Sequence, residues 1–219
     1  MNRLADAMIP YLNSSGIRYT RNTPDMTAGQ SIRQANQGWY DFYLALHSNA
    51  AGEGNYGNVR GIIAFYYPSS TQGRRAAQIF VNNLREIYPL PDKVVTRATT
   101  SLGEVRDSKF PAVLLELGYH DNVEDARWIE NNLTEIARNI VLSLTDYFGI
   151  PFIWPTDPWE GHVSAGGGTL NLRSKPSTSA PVIAAIPDGA AVTVYGQYEG
   201  WYVVRYGEYV GYAAAQFIH

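Results

Sequence analysis

The chain has 219 residues, 45% of them hydrophobic and 17% charged, with a formal net charge of −3; that is an ordinary globular composition, long enough for one medium domain and a small one. No basic stripe is present to line a nucleic-acid groove and no apolar run is long enough to span a bilayer, so neither nucleic acid nor membrane insertion is expected. Cysteine is absent, which removes disulfides and thiolate metal sites and leaves any metal to His, Asp or Glu.

The opening, MNRLADAMIPYL, lacks the basic head and apolar core of a signal peptide. Leu4, Ala5, Met8, Ile9 and Leu12 fall on one helical stripe that Gly16 ends, and Pro10 inside it implies a kink or a short first turn. Ile17–Arg21 reads as a strand. Thr27 and Gln30 fit a capping box that opens a second helix running toward Asn36. Phe42–His47 is a continuous apolar strand of the kind buried on both faces of a parallel sheet, and Gly61–Tyr67 is the next. A helix follows from about Gln72 to Ile87 with Ala76, Phe80, Leu84 and Ile87 inward. Ala112–Tyr119 is another buried strand, and a single long helix from Val123 to Tyr147 closes this part. The alternation predicts an α/β fold: an open, mostly parallel sheet flanked by helices, over residues 1–148.

Gly149–Gly161 carries three prolines and two tryptophans and reads as a semi-rigid linker over residues 149–161. Beyond it the helical period disappears. LNLRSKPS, AVTVYG, GWYVVRY and EYVGYAAAQFI are short alternating strands between Gly, Pro and Asp turns. Residues 162–219 are therefore expected to form a small all-β barrel. The 16 tyrosines crowd toward this end, where aromatic rings serve a β core or stack on sugars and peptides.

Ligands of open parallel sheets sit beyond the carboxyl ends of the strands. His47 and Glu116 both lie near such ends, contributed by distant segments. Glu116 stands among apolar neighbours in VLLELGYHDN. An unpaired buried carboxylate is costly, so it either has a salt-bridge partner or is held for general base chemistry. His47, followed by Ser48, Asn49 and a glycine-rich loop, reads either as a structural strand-end histidine or as a metal ligand. His120, beside Asp121 and Asn122, reads as a helix-capping side chain or as a group that supports a site's ligands from behind, the structural role being preferred, and His162 and His219 read as incidental.

LALHSNA, then GIIAFYYPSS, then LGEVRDSKFPAVLLELGYHDNVEDARWI resemble the zinc-dependent N-acetylmuramoyl-L-alanine amidases of the amidase-3 type, over about residues 1–148. The LNLRSKPS opening and the GWYVVRY…YVGYAAAQFI close look like a bacterial SH3-type domain. The resemblance implies a peptidoglycan hydrolase acting at the cell wall, outside the cell, on the amide between the lactyl group of N-acetylmuramic acid and L-alanine. It implies zinc as cofactor, His47 as a zinc ligand and Glu116 as the carboxylate that takes a proton from the attacking water. It also implies two further ligands, a His and a Glu, on a strand and helix start N-terminal to the stretch matching Met1–Leu12, for which no residue here can be carried over. Two readings stay open: an amidase, and an impaired relative that acts by binding wall. A missing first strand would leave a sheet edge that invites pairing with another chain.

Overall fold

In a computed structural model describing residues 1–219, the first helix α1 (Asn2–Ser14) buries the predicted stripe at Leu4, Met8 and Leu12 and runs through Pro10 without ending. Gly16, at φ +75°, stops it: Gly16 N–H donates to the Asn13 carbonyl and Ile17 N–H to that of Leu12, the left-handed termination that glycine permits. Ile17–Arg21 is not a strand. Its bonds run to no ladder: Arg21 pairs with Asp6 and donates to the Asn2 carbonyl, and Arg18 donates to that of Glu208. The capping box forms as expected and opens α2 (Ala28–Gln37): Thr27 N–H donates to Gln30 Oε1 at 2.8 Å while Gln30 N–H donates to Thr27 Oγ1 at 3.3 Å.

The remaining elements of this half are β1 (Tyr43–Asn49), β2 (Ile62–Tyr66), α3 (Thr71–Arg85), β3 (Val94–Ala98), α4 (Gly103–Arg106), β4 (Ala112–Tyr119), α5 (Val123–Asn131) and α6 (Leu133–Phe148). The expected single last helix is two, because Asn132 leaves helical geometry and its side chain donates to the Trp128 carbonyl at 2.8 Å. The sheet order is β1-β4-β2-β3, with β1–β4 and β2–β3 parallel and β2–β4 antiparallel. It is thus an open, mostly parallel sheet flanked by helices. β1 is an edge strand rather than one buried on both faces: of its residues Ala45 alone is fully covered.

Register decides which side chains share a face. Tyr43, Ala45 and His47 stand opposite Ala112, Leu114 and Glu116, and Ile63 and Phe65 stand opposite Glu116 and Leu114. Leu102 and Val105, at and inside α4, pack onto this face with Ala45, Ala112, Leu114, Tyr43, Phe65 and Tyr67. The alternate residues Val113, Leu115, Leu117, Ile62 and Ala64 are sealed on the other face. α3 packs against β2, β3 and β4.

The chain divides into two compact units, Met1–Ala7 with Arg21–Tyr147 and Met8–Thr20 with Phe148–His219. The second holds β5 (Trp159–His162), β6 (Thr169–Arg173), β7 (Val182–Pro187), β8 (Ala191–Tyr198), β9 (Trp201–Tyr206) and β10 (Tyr209–Ala214). They form an all-antiparallel sheet in the order β5-β8-β9-β10-β6-β7. The expected barrel is instead a ladder with two ends, since Trp159–His162, whose first three residues come from the stretch read as a linker, takes the free edge of β8. Its inward residues, among them Leu170, Leu172, Ile186, Val192, Val194, Val204 and Ala213, make one apolar core. Within this unit Tyr212 is buried and its hydroxyl donates to the Ser15 carbonyl at 2.8 Å.

Candidate active site

Strand register brings the two residues singled out in the sequence together: His47 and Glu116 are directly opposed on adjacent parallel strands and share the face covered by α4. Glu116 has no salt-bridge partner. Its Oε2 is sealed from solvent and accepts no hydrogen bond. Burial pushes its carboxyl above the ordinary 4.5, against the charges of His47 and His120, which pull it down, while Glu104 adds to the rise.

A third residue belongs to the site that sequence reasoning missed. Glu104 Oε2 lies 2.9 Å from His47 Nε2, with the Glu104 side chain 12% exposed. Its other oxygen accepts from the Tyr43 hydroxyl at 3.4 Å. Tyr43 and His47 are four residues apart on one strand, so both point at the same carboxylate. That hydrogen bond to Glu104 holds the His47 imidazolium above its ordinary value, against burial, which opposes it. Burial first and Glu104 second push the Tyr43 phenol up. Glu104 sits in a polar run, SLGEVRDS, that looks like a solvated turn; only the docking of Leu102 and Val105 onto the sheet carries its carboxylate inward.

The rim beyond the strands is fixed by a second set of bonds. Between the pairs His47↔Glu116 and Asn49↔Tyr119 the register shifts, because β4 carries one residue more than β1. Gly118 takes up the shift at φ +91°, where an added Cβ would lie 3.2 Å from Asp125 Oδ2. Asp125 is fully buried and accepts from the Tyr88 hydroxyl (2.6 Å), Arg60 Nε (2.8 Å), Tyr119 N–H (3.0 Å) and Gly61 N–H (3.1 Å). Asn122 caps α5 and donates to the Gly57 carbonyl at 2.6 Å. His120 reaches Ser48, and Asp121 accepts from Ala51 N–H at 2.9 Å. His162 lies 3.7 Å from Glu160 in β5 and belongs to the other unit. A cavity of about 300 Å³ lined by Tyr67, Ser70, Arg106, Lys109, Phe110 and others lies at the opposite, N-terminal end of β4.

A catalytic zinc takes three protein donors and an open position. His47 and Glu104 are in contact, but no group of three His, Asp or Glu side chains converges in a way that could hold a metal ion. By this test the residues present do not by themselves fit a zinc centre.

Comparison with known proteins accords with this architecture. The family model for N-acetylmuramoyl-L-alanine amidase matches residues 1–146, and that for the bacterial SH3 domain matches residues 168–219. An uncharacterized cell wall amidase of Bacillus anthracis is 26% identical over 156 residues, 65% of this chain and 26% of the relative, so the chain spans about a quarter of that protein's length. Among solved structures, an N-acetylmuramoyl-L-alanine amidase from Clostridium difficile 630 superposes with a TM-score of 0.59 at 18% identity, over 67% of this chain and 81% of that one. The amidase AmiC2 of Nostoc punctiforme does so with a TM-score of 0.58 at 20% identity, over 67% and 81%. The catalytic domain of an endolysin targeting Clostridia difficile gives 0.54 at 23%, over 66% and 81%. At these identities the likeness to solved structures is one of fold, over about two thirds of the chain. With its family model matched over residues 1–146, the chain belongs to the N-acetylmuramoyl-L-alanine amidase family and carries a bacterial SH3 domain at its C-terminal end.

Proposed function

We propose that this chain hydrolyses the amide between the lactyl group of N-acetylmuramic acid and L-alanine in peptidoglycan. Residues 1–148 are the hydrolytic part and residues 162–219 the wall-binding part, joined through 149–161, and the chain acts at the cell wall outside the cell. The observation that carries the reading is Glu116: a carboxylate with a sealed, unpartnered oxygen, opposed to His47. A structural carboxylate is hydrogen-bonded, as Asp125 is; one left without partners in a partly buried place is kept for a proton.

The chemistry uses the side chains of the chain. Glu116 takes a proton from a water whose oxygen bonds to the lactyl carbonyl carbon. The carbon–nitrogen bond then breaks, and Glu116 returns the proton to the departing amine of L-alanine. Burial raises the basicity of the carboxylate, and the His47 charge limits that rise. His47 is proposed as a zinc ligand, as the resemblance implies. His47 and Glu104 alone fall short of the three protein donors of a zinc centre.

The test is release of stem peptides with a free N-terminal L-alanine from purified walls, with bound zinc determined in the same sample. Turnover that is lost in Glu116→Gln supports the reading. A chain that binds walls and releases no such peptides, with or without added zinc, ends it and leaves a wall-binding protein.

A further inference from the structure

His120 follows the bulge in β4, and its position is fixed twice. Its backbone N–H donates to the Asn49 carbonyl at 2.9 Å. Its Nδ1 lies 3.0 Å from the Ser48 carbonyl oxygen and 3.2 Å from Ser48 Oγ. A carbonyl oxygen only accepts, so the hydrogen of the neutral ring is on Nδ1 and the lone pair is on Nε2. The side chain is exposed, and nothing in the chain hydrogen-bonds Nε2. Ser48 follows His47 in β1, and β1 pairs with β4 at His47 and Glu116, so the contact with Ser48 keeps the His120 imidazole on the rim that carries the proposed base.

We propose that His120 is a substrate-binding residue whose Nε2 accepts a hydrogen bond from an amide N–H of the stem peptide; this rests on the amidase reading above. A neutral acceptor suits a peptide N–H because it pairs without the cost of desolvating a charge. The two carboxylates on this face serve other ends, Glu104 being held by His47 and Tyr43 and Glu116 standing free as the base. The bond to Ser48 fixes the ring's tautomer and orientation, so little freedom is lost when the peptide arrives.

The test uses the full chain labelled with nitrogen-15 in histidine. Long-range proton–nitrogen correlations read the tautomer, and hydrogen on Nδ1 of His120 is expected; hydrogen on Nε2 overturns the proposal. Titration with N-acetylmuramoyl-L-alanyl-D-isoglutamine then shifts Nε2 more than Nδ1. Two variants separate binding from scaffolding. His120→Asn keeps a donor for Ser48 and has no atom at the reach of Nε2, whereas His120→Gln keeps an amide at that reach and loses the donor. The Asn variant is expected to melt with the wild type and to bind the muramoyl peptide about tenfold more weakly, the worth of one hydrogen bond. If His120 is only scaffolding, Asn is harmless and Gln is the costly change. Wild-type affinity in the Asn variant, or a wild-type chain that does not bind the probe, overturns the proposal. Failure to hydrolyse walls bears on the amidase reading alone, because tautomer and binding are read without turnover.

Discussion

The two sheets of this chain obey one alternation rule and differ in what lies behind the second face. In β6 and β8 apolar residues turn inward at Leu170, Leu172, Val192 and Val194, while Thr169, Asn171 and Thr193 turn outward, so a polar side chain there is the ordinary outcome. In β4 both faces are covered, and Ala112 to Leu115 are all buried. A carboxylate at position 116 therefore contradicts the local pattern. The contrast teaches where chemistry is legible: a polar residue carries information in a strand covered on both faces and almost none in a strand covered on one.

The strongest way to sharpen that contrast is to neutralise the anomalous residue. Glu116→Gln is expected to lower wall-amide turnover by about 10²–10⁴-fold, the range for loss of a general base. Its melting temperature holds or rises, because one oxygen of the carboxylate it replaces is sealed without a partner. A variant that loses turnover only by unfolding would break the claim, and paired kinetics and calorimetry decide it.

Asp125 is the opposite case, a buried carboxylate whose partners are all present. Asp125→Ala leaves Arg60, the Tyr88 hydroxyl and two backbone N–H groups without their acceptor. It is expected to destabilise the α/β unit by about 3–5 kcal/mol, the scale for breaking a buried ionic network from one side. Urea denaturation followed by amide exchange in β2 and β4 measures it. A loss under 1 kcal/mol would place Asp125 with the ordinary surface ion pairs.

In the second sheet the apolar side carries the stability. Leu172 is fully buried, and Leu172→Ala is expected to cost about 2–5 kcal/mol through lost contacts and a cavity. Exchange protection should fall in β6 to β10 and stay in β1 to β4. Equal loss in both sheets would show one cooperative block rather than two units.

Much of this was readable from the residues. The capping box at Thr27 and Gln30, the strand at Ala112–Tyr119 and the placing of His47 and Glu116 at strand ends all rest on local signals, residue spacing and continuous apolar runs, which the sequence displays directly. What was not readable depends on where distant pieces dock. β3 is five residues with its last two exposed, too short and too polar at its end to alternate visibly. α4 is a single turn with no side-chain cap, and only its packing makes Glu104 a partner of His47. The break at Asn132 is invisible to a helical stripe that continues on both sides of it. The edge position of β1 follows from strand order, which no local pattern encodes. The tautomer of His120 follows from a carbonyl 72 residues away.

The smallest expected effect tests the outward face of the second sheet. Asp188 is fully exposed, yet its carboxylate accepts from the backbone N–H groups of Ala165 (2.5 Å) and Gly167 (2.9 Å), which hold it below its ordinary 3.8. A carboxyl depressed in the folded state contributes stability that is complete above its unfolded value. That contribution is lost as the pH falls through the folded one. The C-terminal unit should therefore lose a small increment of stability below about pH 3.8, and Asp188→Asn, which cannot titrate, should lack that increment. Solvent screens an exposed group, so the difference is small and belongs to the loop at Ala165–Gly168 rather than to the core. Amide exchange at Ala165 and Gly167 across the acid range reads it. Identical acid profiles in the two proteins would mean that charge outside this sheet is as neutral to its stability as its alternating pattern suggests.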